Sequence, residues 1–153
     1  MKRLTTFLWF DGQAEEAAKF YISLFPDSKL GRTTPNPPGA PGEPGTPLTV
    51  DFELMGQPFV GLNGGPMYKF TEAISFQIPC ESQAEIDRYW EALTAGGGEP
   101  GQCGWCKDRF GVSWQVVPAI LPQLLNGPKA AQVTAAFMQM RKFDIAALER
   151  AAA

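Results

Sequence analysis

Histidine is absent from all 153 residues. The side chain that most often serves as a general base near neutral pH, and most often ligates a transition metal, is therefore not available. Every Ser-His or Cys-His mechanism is excluded with it. Cysteine is scarce: Cys80, Cys103 and Cys106 are too few, and odd in number, for a disulfide scaffold. Excess positive charge is missing too. Lys and Arg number 13 against 16 Asp and Glu, a net charge of −3, so neither nucleic acid nor an anionic membrane surface is an expected partner. No apolar run approaches the roughly 20 residues of a membrane span. The opening MKRLTTFLWFDGQ carries basic residues, but its short apolar stretch runs into a helical pattern with no small-residue cleavage site. A signal peptide is not expected on that pattern, and a cytoplasmic location is.

What is present is an ordinary globular composition, 44% hydrophobic and 19% charged. A chain of this length fits one domain, residues 1–153, burying about 70% of its unfolded surface. LTTFLWF (4–10) is rich in aromatic and β-branched residues and predicts a strand. Asp11 is placed to cap the next helix, where Ala14, Ala17, Ala18, Tyr21 and Phe25 recur at helical spacing before Pro26. A short strand is expected around 29–34. PNPPGAPGEPGTP (35–47) holds three Gly-x-Pro triplets, too few for collagen, and reads as a mobile, partly polyproline-II loop. LTVDFELMGQPFVGLNGGP (48–66) predicts a hairpin whose first arm alternates Val50, Phe52 and Leu54 with Thr49, Asp51 and Glu53. AISFQIPC (73–80) is another alternating strand. Ser82 and Glu85 form a capping box for a helix with Ile86, Tyr89, Trp90 and Leu93 on one face. AGGG (95–98) ends it. Two strands joined at KDRFG follow, then a helical tail carrying Leu121, Leu124, Val133, Phe137, Met140, Ile145 and Leu148.

An internal repeat organises these elements. FLWFDGQAEEAAKF (7–20) and QIPCESQAEIDRYW (77–90) share Gln-Ala-Glu at equivalent strand-to-helix junctions. The expected fold is therefore α+β: two paired β-α-β-β-β modules forming one cupped, mixed sheet with helices on its outer face. Module one covers about 3–66, module two about 72–118, and the tail 119–153.

With FDGQAEEAAKFY, LNGGP, TEAISFQ, GQCGWCKD and FGVSWQVVP in this order, the chain resembles the vicinal-oxygen-chelate superfamily from about Leu4 to Leu148. More closely it resembles the PhnB-like branch, often labelled demethylubiquinone methyltransferase-like. The resemblance implies a glyoxalase-like fold, a homodimer and a small-molecule cavity in each cup. Relatives include glyoxalase I, extradiol dioxygenases, fosfomycin-resistance enzymes and antibiotic-sequestering proteins, so fold membership names no reaction. Methyl transfer is the least expected activity. A nucleotide-type cofactor sits on a Gly-rich turn from strand to helix, whereas GGGEPG (96–101) follows a helix and precedes a strand.

Alternation sorts each strand into two faces. Leu4, Leu8 and Phe10; Val50, Phe52 and Leu54; Ile74, Phe76 and Ile78; and Trp114 and Val116 are expected to meet the helices. The opposite, inner face then carries Thr5, Phe7 and Trp9; Thr49, Asp51 and Glu53; Phe59, Gly61 and Asn63; Ala73, Ser75 and Gln77; and Ser113, Gln115 and Val117. Mixed aromatic and polar side chains suit a ligand cup. Asp51 and Glu53 are its carboxylates, either general bases or solvated rim residues. Asn63, Gln115, Ser75 and Gln77 are candidate hydrogen-bonding contacts, although Asn63 and Gln115 could equally serve backbone at strand ends. Trp9 and Trp105 could stack on a flat ligand or pack internally.

Metal-using relatives place ligands at positions that match Thr5, Asn63, Ala73 and Gln115. These offer a hydroxyl, two neutral amides and a methyl group, so no metal site and no cofactor are expected. A divalent metal would need Asp51, Glu53 or Cys80 to converge. The C-x-x-C pair of Cys103 and Cys106 lacks the further ligands of a zinc knuckle and the helix N-terminus of a redox dithiol. It reads as structural, with the two thiols on opposite sides of an extended segment. The functional expectation is a metal-independent protein that binds a small organic molecule, with an unknown reaction. Alternatives are a sequestering protein without catalysis and a metal-dependent lyase or dioxygenase. The apolar tail is expected to cover the sheet's edge or a partner subunit.

Overall fold

The structure, a computed structural model, describes residues 2–153. Two compact units follow one another, the first ending at Lys69 and the second spanning Phe70–Ala153. The first holds β1 (Thr6–Phe10), α1 (Ala14–Leu24), β2 (Lys29–Pro35), β3 (Pro47–Leu54) and β4 (Gln57–Asn63). The second holds β5 (Ser75–Cys80), α2 (Gln83–Thr94), β6 (Glu99–Pro100), β7 (Trp105–Lys107) and β8 (Ser113–Pro118), then α3 (Leu121–Leu125), α4 (Ala130–Phe137) and α5 (Ile145–Ala152). The repeat seen in the sequence is a repeat of topology. The sheets run β1-β4-β3-β2 and β5-β8-β7-β6, and in each the first strand lies parallel to the last.

In the first unit α1 packs through Ala14, Ala17, Ala18 and Tyr21, all fully buried, against Leu8, Phe10, Val50 and Phe52. Small residues set this distance: a Cβ on Gly61 would lie 3.0 Å from that of Ala14. Tyr21, Phe52 and Phe59 stack in series, with centroids 6.2 and 5.4 Å apart. The predicted cap is different. Asp11 does not cap α1; Gln13 occupies the N-cap without a side-chain bond, and the Asn63 side chain accepts from the Ala14 N–H at 2.9 Å.

β3 and β4 join through Met55-Gly56, both at positive φ, as a two-residue hairpin loop requires. That turn fixes the pairs Asp51↔Val60 and Phe52↔Phe59. Residues opposite one another share a face, so Phe59, Gly61 and Asn63 lie on the helix side. The inner face of β4 carries Pro58, Val60 and Leu62 instead. Leu4 and Ile74, expected in the core, precede the strands proper and are 96% and 74% exposed. The Pro/Gly run is a closed loop rather than an extended one. Buried Asn36 donates from Nδ2 to the carbonyls of Pro41 and Glu43, while backbone bonds tie Asn36 to Thr46 and Gly45.

In the second unit Ser82 caps α2 as expected, and the reciprocal bond of the box goes to the residue before it. Ser82 Oγ accepts from the Glu85 N–H, and the Glu85 carboxylate reaches back to the Glu81 N–H at 3.1 Å. Ile86, Tyr89 and Leu93 face Ile78, Cys80, Trp114 and Val116 in a core. The tail docks on this same unit. Cys103 and Gly104 donate backbone N–H groups to Met140 and Arg141, and Gln83 bonds both the Phe143 carbonyl and the Ile145 N–H. Gly104 has no side chain because the Phe143 ring occupies that space, 2.5 Å from a Cβ placed there. Val133, Phe143 and Leu148 are fully buried as a result.

Candidate functional site

Strand alternation builds one candidate face on each unit. In the first, Asp51 and Glu53 project from β3 on the side away from α1, beside Val60 and Pro58 of β4. With Thr5, Lys29 and Arg32 they line a cavity of about 310 Å³. Glu53 pairs with Lys29 across the β2–β3 ladder, Nζ to Oε2 3.6 Å, with both side chains partly in water. The two predicted carboxylates thus share one cavity, and two cations the sequence reading passed over stand beside them. Gly31 was the available signal, since glycine inside a strand marks a bulge or a close approach.

The remaining first-unit candidates are engaged within the protein. The Trp9 indole N–H donates to the Gly65 carbonyl at 2.8 Å, its ring lies against Gly64, and Tyr68 meets it edge-on at 4.9 Å. The glycines of LNGGP are therefore the seat of Trp9. Asn63 uses both ends of its amide on backbone: Oδ1 accepts from Ala14, and Nδ2 donates to the Pro47 carbonyl at 2.9 Å. Its place is at the mouth of α1 and not on the inner face.

In the second unit Ser75, Gln77, Gln115 and Trp105 do share the inner face, Gln115 being registered against both Gln77 and Trp105. Gln115 Nε2 donates to Ser75 Oγ at 2.9 Å. Trp105 also lines a smaller cavity, about 150 Å³, with Ser113, Lys107, Glu72 and Glu99. Lys107 and Glu72 form an ion pair that raises the lysine pKa and lowers that of the carboxylate. The Ser113 hydroxyl is buried and makes no hydrogen bond with any described residue. A third hollow, about 410 Å³, runs from Gln77 and Pro79 to Leu121, Leu125 and Asn126, its mostly apolar wall carrying two amides and no charged group.

Two of the three cysteines are packed into the second unit's core. All three are free thiols. Cys106 lies on the helix face of β7, and burial pushes its thiol to about 12; Cys80 on β5 is raised to about 12 for the same reason. Cys103 is not in an extended segment, as expected, but in the turn before β7 at φ 56°. The turn, not strand alternation, sets its direction.

The side chains at the four positions where the resemblance would place metal ligands are poor donors for a divalent ion. Thr5 offers a hydroxyl and Ala73 a methyl group; the Asn63 amide is spent on backbone, and the Gln115 amide donates to Ser75. Among the described residues no group of three or more Cys, Asp or Glu side chains is placed to hold a metal.

The family model described as 3-demethylubiquinone-9 3-methyltransferase matches residues 2–117. No curated protein matches the chain. Among solved structures, the PhnB protein of Bacillus cereus is 35% identical with a TM-score of 0.70, over 77% of this chain and 100% of that one. A protein from Pseudomonas aeruginosa is 21% identical with a TM-score of 0.62, over 76% and 96% of the two chains. The fosfomycin resistance protein FosX from Listeria monocytogenes, in complex with Mn(II) and 1S,2S-dihydroxypropylphosphonic acid, is 16% identical with a TM-score of 0.53, over 82% and 97%. The last two likenesses show a shared fold and nothing finer.

Proposed function

Because the chain belongs to the 3-demethylubiquinone-9 3-methyltransferase family, a PhnB-like branch with the vicinal-oxygen-chelate, glyoxalase-like fold, we propose that it binds a small organic molecule on the inner face of its sheets without a resident metal ion. The observation that carries this reading is the 310 Å³ cavity in which Asp51 and Glu53 meet two cations and the apolar wall of Val60 and Pro58. The volume falls near the lower end of ligand pockets, and four charged side chains and the Thr5 hydroxyl stand around the apolar floor of Val60 and Pro58. Glu53 is held by Lys29, so Asp51 is the carboxylate better placed to accept a proton from a bound ligand. On the second unit the Gln115–Ser75 pair beside Trp105 and Gln77 supplies amide and hydroxyl contacts.

The donor chemistry at Thr5, Asn63, Ala73 and Gln115 supports the metal-free reading. Methyl transfer gains no support from the glycine run. Gly96 and Gly97, at φ 64° and 111°, turn the chain out of α2, and a Cβ on Gly98 would lie 2.3 Å from the Leu93 carbonyl oxygen. These glycines serve a helix end and offer no cradle at a helix start for a phosphate.

A thermal-shift screen of small organic compounds in buffer containing EDTA tests the proposal. The expected result is stabilisation that survives the chelator and weakens in Asp51→Asn. Stabilisation that depends on added manganese, iron, nickel or zinc would overturn it. The reading further takes the protein as a cytoplasmic homodimer, supported by its free thiols and by Leu4 and Phe7, which are largely exposed in the single chain.

A further inference from the structure

The pairing of β2 with β3 slips once. Leu30 faces Phe52 and Thr33 faces Val50, so Gly31 and Arg32 together stand against Asp51 alone. This is a β-bulge, a device that bends an edge strand and re-aims a side chain. Here it brings Arg32 onto the cavity that Asp51 lines. Gly31 sits directly beside Asp51, and a Cβ on it would lie 3.0 Å from both the Asp51 Cβ and its carbonyl oxygen. Glycine at this position keeps the space next to the carboxylate open.

The charges in the cavity divide into a used pair and an unused pair. Lys29 and Glu53 face each other across the ladder and compensate one another. Asp51 and Arg32 make neither an ion pair nor a side-chain hydrogen bond with any described residue. Arg32 is exposed and Asp51 half-buried, so a ligand with a single charge engages one of them and leaves the other hydrated, gaining one charge-assisted contact where two are on offer. A ligand carrying both signs satisfies both.

Resting on the small-molecule reading above, we propose that this cavity takes a small zwitterion, its anionic group on Arg32, its ammonium group on Asp51 and its apolar body on Val60 and Pro58. Arg32 suits a carboxylate or phosphonate because its planar fork donates two parallel hydrogen bonds. The volume sets the size. At about 310 Å³ the cavity is about twice one that holds a benzene ring, which fits a molecule on the scale of a single amino acid.

Four probes of one shape test the charge requirement on the full chain by thermal shift and calorimetry. They are phenylalanine (both charges), N-acetylphenylalanine (anion only), phenylalaninamide (cation only) and N-acetylphenylalaninamide (neutral). The expected result is binding of phenylalanine at least tenfold tighter than of any blocked probe. Asp51→Asn and Arg32→Ala should each lose at least tenfold in that affinity while melting like the parent without ligand. Tighter binding of any blocked probe, or phenylalanine binding unchanged in both variants, would overturn the zwitterion assignment and leave the small-molecule reading standing. No response to any of the four, together with an empty general screen, would remove both.

Discussion

Asp108 carries three donors on one buried carboxylate. Oδ1 accepts from the N–H groups of Phe110 and Val112, and Oδ2 accepts from the Trp114 indole N–H at 2.9 Å. It holds the turn between β7 and β8 and orients the largest ring of the second core. Leaving buried donors unmet costs about 1–3 kcal/mol each, less whatever relaxation recovers. Asp108→Ala should therefore lower unfolding free energy by about 3 kcal/mol or more in urea melts, with first-module ligand binding intact in the folded fraction. The buried thiols give a second residue-scale prediction. Cys80 and Cys106 are raised to about 12 by burial, so at pH 8 only Cys103 should react quickly with a disulfide reagent, and all three in denaturant. A raised folded-state pKa means the fold holds the proton more tightly than the unfolded chain does. The stability this provides is complete below the ordinary thiol value near 9 and is lost as pH climbs from there to about 12. Replacing both with alanine should flatten the fall in melting temperature over that window. The C-x-x-C spacing reads as structural from what it lacks, further metal ligands and a helix N-terminus. That Cys103 sits in a left-handed turn accepting the tail depends on contacts with Met140 and Arg141, almost forty residues away in the chain.

At the scale of elements, the Met55-Gly56 loop decides which side chains reach the candidate site. A two-residue loop fixes pairs whose numbers sum to a constant, so Val60 must share a face with Asp51, and Phe59 with Phe52. That register was readable from the hairpin, and polarity misled because Asn63 looked like a ligand contact. Its real work is at the start of α1, where the chain's own cap, Gln13, makes no side-chain bond. No local rule could show this, because the cap comes from a strand about fifty residues later. Asn63→Ala should cost about 1–2 kcal/mol of stability, in line with loss of an N-terminal cap, while leaving ligand affinity unchanged. A fall in affinity without a fall in stability would return Asn63 to the ligand site. The bulge at Gly31–Arg32 was hidden for a different reason. A single glycine in a short edge strand signals a bulge weakly, and which side chain the bulge re-aims depends on the partner strand.

At the scale of the molecule, the repeat was the most legible feature of all. Gln-Ala-Glu recurs at both strand-to-helix junctions, and both units run strand, helix, then three strands with the same order in the sheet. Duplication of that kind constrains topology strongly and chemistry hardly at all, because the inner face can be rewritten without touching the core. Here the first cavity carries charged side chains of both signs and the second inner face carries amides and a hydroxyl. Exposed Leu4, Phe7 and Ile74 lead to the expectation of a dimer by light scattering at micromolar concentration; a monomeric mass there would contradict that assembly. The central claim, an organic-ligand protein without a resident metal, is tested most directly by elemental analysis of the purified chain. The protein is expressed without a histidine tag in medium supplemented with zinc, iron, manganese and nickel, and metal is counted per chain. The prediction is well below one equivalent of any metal. One tightly held equivalent would contradict the account and move metal-assisted lyase or oxygenase chemistry to the front.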